Sequence, residues 1–154
     1  MKNIIAVVTI VILFLSSCAN RTNEMMQESS VTQKQEVIYD IPSLKGKNID
    51  EVVKILGTPE VSNSEPTKAQ ISAGVLTWEK EYRRNGYELL ITYYIRTRKV
   101  VDFFIPTNDP SGKTKNYKDL LQISNTEDQS EIYIEPVKTF VDSSSYTGIK
   151  IILL

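Results

Sequence analysis

The clearest hydrophobic pattern in the chain runs from Asn48 to Pro59. Ile49, Val52, Val53 and Leu56 follow one another at i, i+3, i+4 and i+7, the spacing of one helix face. Asn48 suits the position just before a helix, and Glu51 three residues on completes a capping-box spacing. Gly57 suits a left-handed C-terminal position, and Pro59 prevents continuation. A short helix is therefore predicted, followed by a loop over residues 60–73 in which residues 67–72 form one further helical turn.

Downstream the period changes from 3.6 to 2. Residues 75–82 and 87–95 flank Asn85-Gly86, the strongest short hairpin signal. A two-residue turn there pairs Tyr82 with Leu89, Trp78 with Tyr93 and Leu76 with Ile95, all on one face. Arg83 then falls opposite Glu88 on the other face, a favourable cross-strand charge pair. A third strand is predicted over residues 99–105, with Val101, Phe103 and Ile105 in the core and a three-residue loop before it. Pro106 ends it. Residues 117–123 read as one or two helical turns, residues 131–137 as a strand up to Pro136, and residues 148–154 as a final strand. The fold class is α+β: a short N-terminal helix packed on a small antiparallel β-meander, with additional C-terminal strands. This register leaves Leu90, Thr92, Tyr94, Val100 and Phe104 on the outer sheet face. A large exposed apolar patch marks a binding site, and the C-terminal strands are the alternative cover for it.

Ahead of the domain lies a different pattern. Lys2 precedes the apolar run IIAVVTIVILFL over residues 4–15, and Leu15-Ser16-Ser17-Cys18 closes it. A run of that length covers ~18 Å as a helix, against a hydrocarbon core of ~30 Å. A basic start, a short apolar stretch and small residues at a cut site describe a secretory signal peptide rather than a membrane span. The small pair leading into cysteine resembles the lipobox of bacterial lipoproteins. The resemblance implies cleavage before Cys18, lipid on its sulfur (palmitate among the acyl chains), and anchorage in the cell envelope. Ala19 rather than Asp after Cys18 implies, by the same resemblance, the outer membrane facing the periplasm. The organisation expected is thus a signal peptide (1–17), a lipidated cysteine with a disordered polar tether (18–37), and one α+β domain (38–154).

Composition narrows the chemistry. The chain has no histidine, which removes the commonest general base and metal ligand, so no metal or other cofactor is expected. Its single cysteine excludes an internal disulfide. The formal net charge is −1, and losing Lys2 with the signal peptide makes the mature chain slightly more acidic, which gives no electrostatic case for nucleic acid. The run Thr107-Asn-Asp-Pro-Ser-Gly-Lys-Thr114 is one substitution from a P-loop, but Thr107 stands where glycine is needed and Pro110 removes an amide donor. It reads as a surface turn, with no nucleotide. Glu79, Glu81 and Glu88 are the densest carboxylates near the sheet; a held pair could perform glycosidase-like chemistry, yet the register places all three in solvent. Arg83 and Arg84 at one end of the second strand, and Arg96, Arg98 and Lys99 at the other, are candidate basic contacts to a partner or an anionic lipid.

The run Gly46-Lys-Asn48-Ile-Asp-Glu51-Val52-Val-Lys-Ile-Leu56-Gly57-Thr-Pro59, followed by Trp78 and Tyr82 on the next strand and Lys99-Val100 opening the third, resembles the SmpA/OmlA (BamE-like) lipoproteins over about residues 44–105. What the resemblance implies is an accessory, non-enzymatic lipoprotein with an envelope protein partner, associated with assembly of outer-membrane proteins. Two other readings stand beside it. One is an inhibitor or immunity-type protein that binds a secreted enzyme. The other is a carboxylate-based enzyme.

Overall fold

The structure, a computed structural model, describes residues 36–61, 64–127 and 130–154, all within the compact unit Gln35–Leu154. The signal segment, Cys18 and the tether up to residue 35 lie outside the described residues. The described part is α+β. Five strands, β1 (Thr77–Arg84), β2 (Tyr87–Tyr94), β3 (Val100–Pro106), β4 (Ile132–Lys138) and β5 (Tyr146–Leu153), form one antiparallel sheet in the order β1-β2-β3-β5-β4. Helices α1 (Ile49–Leu56), α2 (Lys68–Ser72) and α3 (Lys118–Ile123) and a 3-10 turn (Ile41–Leu44) complete it.

Helix α1 has the predicted start. The Asn48 side chain accepts the N–H groups of Asp50 and Glu51 at 3.0 Å each, and Glu51 returns a carboxylate to the Asn48 N–H at 2.9 Å. These bonds satisfy amides that a helix N-terminus leaves without partners. Ile49, Val52 and Leu56 are buried, and Val53 packs beside them. The helix stops at Gly57 with φ 84° and ψ −176°, a region essentially reserved for glycine. A Cβ there would meet nothing within 4 Å, so the demand is on the backbone alone. Gly57→Val should cost about 1–3 kcal/mol, read as a lower denaturation midpoint; an unchanged midpoint would show that the helix ends otherwise.

The first hairpin has the predicted register: Tyr82 faces Leu89, Trp78 faces Tyr93 and Arg83 faces Glu88. Asn85 and Gly86 both take positive φ (48° and 81°), which suits the twist of a two-residue hairpin. Leu76 is a correction. Its carbonyl accepts the Ile95 N–H, but its side chain is exposed, because the strand begins only at Thr77.

The second connection is longer than the predicted three residues. Arg98 adopts φ 60°, its N–H bonds the Tyr94 carbonyl, and the Tyr94 N–H bonds the Lys99 carbonyl. A bulge follows: Tyr93 pairs with Val100, whereas Thr92 pairs with Asp102, leaving Val101 as the extra residue. Phe103 therefore faces Ile91. The bulge also moves Val100 off the outer face. It pairs with core residue Tyr93 and packs against the core, while Val101 is only half-buried.

The sheet's inner face carries Leu89, Ile91, Tyr93, Phe103, Ile105, Ile149 and Ile151 and is covered by Ile41, Leu44, α1 and α3. The segment ahead of α1 is part of this core. Tyr39 is fully buried, its hydroxyl donates to the Tyr87 carbonyl at 3.0 Å, and the Ile38 and Tyr39 N–H groups both bond the Ile123 carbonyl. The two C-terminal strands pair as a hairpin on the far side of β3 and extend the sheet. Pro136 does not end β4. It lies on this edge strand opposite Ile149, a position where a missing donor is tolerated.

Candidate binding surface

The outer sheet face is laid out by the register. One row across the strands reads Glu79, Thr92, Asp102, and the next Glu81, Leu90, Phe104, Lys150, Glu135. Tyr94 on β2, and Tyr133 and Ile152 on β4 and β5, share this face. The helices that contribute to the core, α1 and α3, lie on the other side of the sheet. Tyr94 and Tyr133 are exposed, and Leu90 and Phe104 are half-buried between their neighbours. The face joins an apolar stripe (Tyr94, Leu90, Phe104, Ile152, Tyr133) to carboxylates at Glu79, Glu81 and Glu135. Asp102 is partly neutralised by Lys150 at 3.5 Å. Of the predicted patch, Leu90, Tyr94 and Phe104 come together and Val100 does not. Tyr133 and Ile152 were not anticipated, because which strand flanks β3 is set by a long connection that leaves no local signal.

The basic residues divide in two. Arg83 is paired with Glu88, and Arg84 donates to the Leu56 carbonyl with its guanidinium 5.8 Å from the Tyr39 ring centre. Arg98 bridges Asp50 at 2.6 Å and Glu65 at 2.9 Å and lies 4.8 Å over Tyr93. All three are paired within the chain, Arg83 at the surface and Arg84 and Arg98 against core aromatic rings. Arg96 and Lys99 remain exposed.

Sequence reasoning missed the polar cluster around Glu65. Its carboxylate accepts from Arg98, from the Tyr93 hydroxyl at 3.0 Å and from Lys80 at 2.8 Å. Lys80 is only 2 % exposed and also donates to the Ser64 carbonyl at 3.1 Å. The Arg98 hydrogen bond, with those of Lys80 and Tyr93, holds the Glu65 carboxyl down at about 2. Burial and the Glu65 contact push the Tyr93 phenol up to about 12. A carboxylate so held, beside a phenol so raised, is suited to pinning residues 64–67 onto the edge of β1, not to proton transfer near neutral pH. The Trp78 indole N–H, also bonded to the Ser64 carbonyl at 3.0 Å, works in the same direction.

Two concavities lie elsewhere on the domain. One, of about 400 Å³, has Leu44, Val100, Val101, Phe103 and Leu153 as an apolar floor and Lys45, Lys47 and Lys99 at its rim. Lys45 is tied to Glu131 at 2.6 Å. The other, of about 330 Å³, is polar and lies beside the P-loop-like run. In that run the Asp109 side chain accepts the Ser111 N–H at 2.8 Å, and the Gly112 N–H bonds the Asp109 carbonyl at 2.8 Å. Two amides that would cradle a phosphate are thus used within the turn. Glu79 is exposed and Glu81 half-buried, both on the outer face, and Glu88 is paired with Arg83. Among the described residues no three carboxylate, cysteine or histidine side chains converge as a metal site.

Comparisons with protein-family models, with curated proteins and with solved structures find no match for this chain.

Proposed function

We propose that this chain is a lipid-anchored lipoprotein of the bacterial envelope, held through Cys18 in the outer membrane facing the periplasm, whose domain is a non-catalytic protein-binding or scaffold module. The observation that carries the binding role is the outer sheet face, an aromatic and aliphatic stripe on which Tyr94 and Tyr133 stand exposed. Exposed patches of this kind mark interaction sites, and tyrosine is favoured at their centres. The carboxylates beside the stripe favour a partner that presents apolar and basic side chains together. Leu15-Ser16-Ser17-Cys18 supports the anchor, and the likeness of residues 44–105 to SmpA/OmlA lipoproteins supports an accessory role in outer-membrane protein assembly.

Phe104 is a poor test of the face. Its ring lies where a Cβ on Gly148 would be, 2.8 Å away, so it shields the backbone at that crossing and its loss disturbs folding. Tyr94→Asp with Tyr133→Asp avoids this. In intact cells, crosslinking from the outer face should then recover at least tenfold less of the partner seen with wild type, as expected when aromatic anchors worth ~2 kcal/mol are lost. Thermal stability should be unchanged. Undiminished crosslinking, or crosslinks confined to exposed Ile55 on α1, would place the interface elsewhere.

A further inference from the structure

The hairpin between β4 and β5 ends in an apolar tip. Phe140 and Val141 are 107 % and 96 % exposed, more than any other large apolar side chains described. The loop beneath them is nevertheless ordered by its own bonds. The Thr139 N–H bonds the Ser145 carbonyl at 2.9 Å, and the Asp142 N–H bonds Thr139 Oγ1 at 3.1 Å. The Asp142 carboxylate accepts the Ser144 N–H at 2.9 Å and the Ser144 and Ser145 hydroxyls at 2.6 and 2.7 Å. The turn thus holds two apolar side chains outward and surrounds them with hydroxyl groups.

The chemistry of the occupant follows from shape and area. Two such side chains offer on the order of 350 Å², against ~800 Å² per partner in a stable protein interface. The other loops at this end of the sheet, Asn85-Gly86 and residues 107–114, add polar groups rather than apolar area. A convex tip of this size matches a medium that closes around any shape: the boundary between headgroups and acyl chains of a phospholipid bilayer. Exposed Lys113 lies on the 107–114 loop, Lys115 just after it and Lys138 at the end of β4, where lipid phosphates would meet them. Asp109, Asp119 and Asp142 oppose them in equal number, and serine hydrogen bonds keep Asp109 and Asp142 charged, so insertion rests on the two apolar side chains rather than on net charge.

We infer that Phe140 and Val141 insert into the phospholipid interface as a second membrane contact, orienting the domain on the bilayer to which Cys18 tethers it. This rests on the lipoprotein reading for its membrane, and a single weak contact gains most where another already holds the protein near the surface.

The test uses the full chain carrying Phe140→Trp, with Trp78 of the wild type as background. Vesicles of phosphatidylcholine, with and without phosphatidylglycerol, carry bromine on their acyl chains. The expected result is a blue-shifted emission from the introduced indole that bromine quenches on both vesicle types, quenching that falls about tenfold when Val141→Asp is added. The same reading on Cys18→Ser at high lipid concentration separates the two ideas. Insertion without lipidation would support the tip as a membrane contact in its own right, whatever the fate of the anchor. A lipidated chain whose introduced indole stays water-exposed on both vesicle types, or is shielded only when another protein is added, would overturn the inference.

Discussion

Gly148→Ala is expected to be the most damaging single-methyl change in the domain, costing about 3 kcal/mol and lowering the melting temperature by roughly 10 °C. A Cβ there would lie 2.4 Å from the Ile105 carbonyl oxygen and 2.8 Å from Pro106 Cα and Phe104 Cζ. Two of the three are backbone atoms, so no rotamer change relieves the contact. Relief requires β5 to move away from β3, at a point where Gly148 is paired with Pro106 on one side and Val137 on the other. The cause differs from that at Gly57, where space is open and φ is the constraint. A thermal melt of Gly148→Ala within a few degrees of wild type would mean that β5 does not cross β3 this closely.

Glu65→Gln is expected to cost about 2 kcal/mol at neutral pH, because it leaves buried Lys80 facing a neutral amide. The same carboxylate makes stability pH-dependent. Glu65 titrates at about 2 in the folded chain against 4.5 ordinarily, chiefly through the Arg98 hydrogen bond. The unfolded chain therefore takes up the proton first as pH falls. The Glu65 contribution is fully present above about pH 4.5 and is lost as pH falls toward about 2. The shift alone corresponds to about 3 kcal/mol; with the side chain 49 % exposed and screened by water, about 1–2 kcal/mol should be measured. Denaturant titrations from pH 6 to pH 2 should show this loss in wild type and a flatter profile in Glu65→Gln. Lys80→Met should stay within about 1 kcal/mol of wild type and should restore part of the loss when combined with Glu65→Gln. Additive losses in the double variant would show that the two side chains are not coupled.

The elements legible in the sequence are those whose signals are local. The capping pair Asn48 and Glu51, the apolar stripe of α1 and the Asn85-Gly86 turn each specify their own geometry within a few residues. The bulge was hidden because Val100 and Val101 are both apolar, so alternation could not say which one faces the core; Arg98 in a left-handed turn decides it. Lys80 stands between Trp78 and Tyr82 on the core face of β1, but the carboxylate that makes its burial tolerable is on a distant loop. Tyr39, Ile41 and Leu44 lacked any periodicity and join the core through contacts with Ile123 and Tyr87. The candidate surface was half legible for the same reason. Leu90 and Tyr94 follow from one hairpin, whereas Tyr133 and Ile152 depend on strand order.

An anchored domain that binds by surface contact predicts one covalent fact above all. Mass spectrometry of the mature protein from its native membranes should find an N-terminal peptide that begins at Cys18 and carries a thioether-linked diacylglycerol. A peptide that retains residues 1–17, or one that begins at Cys18 with a free thiol, would contradict the account.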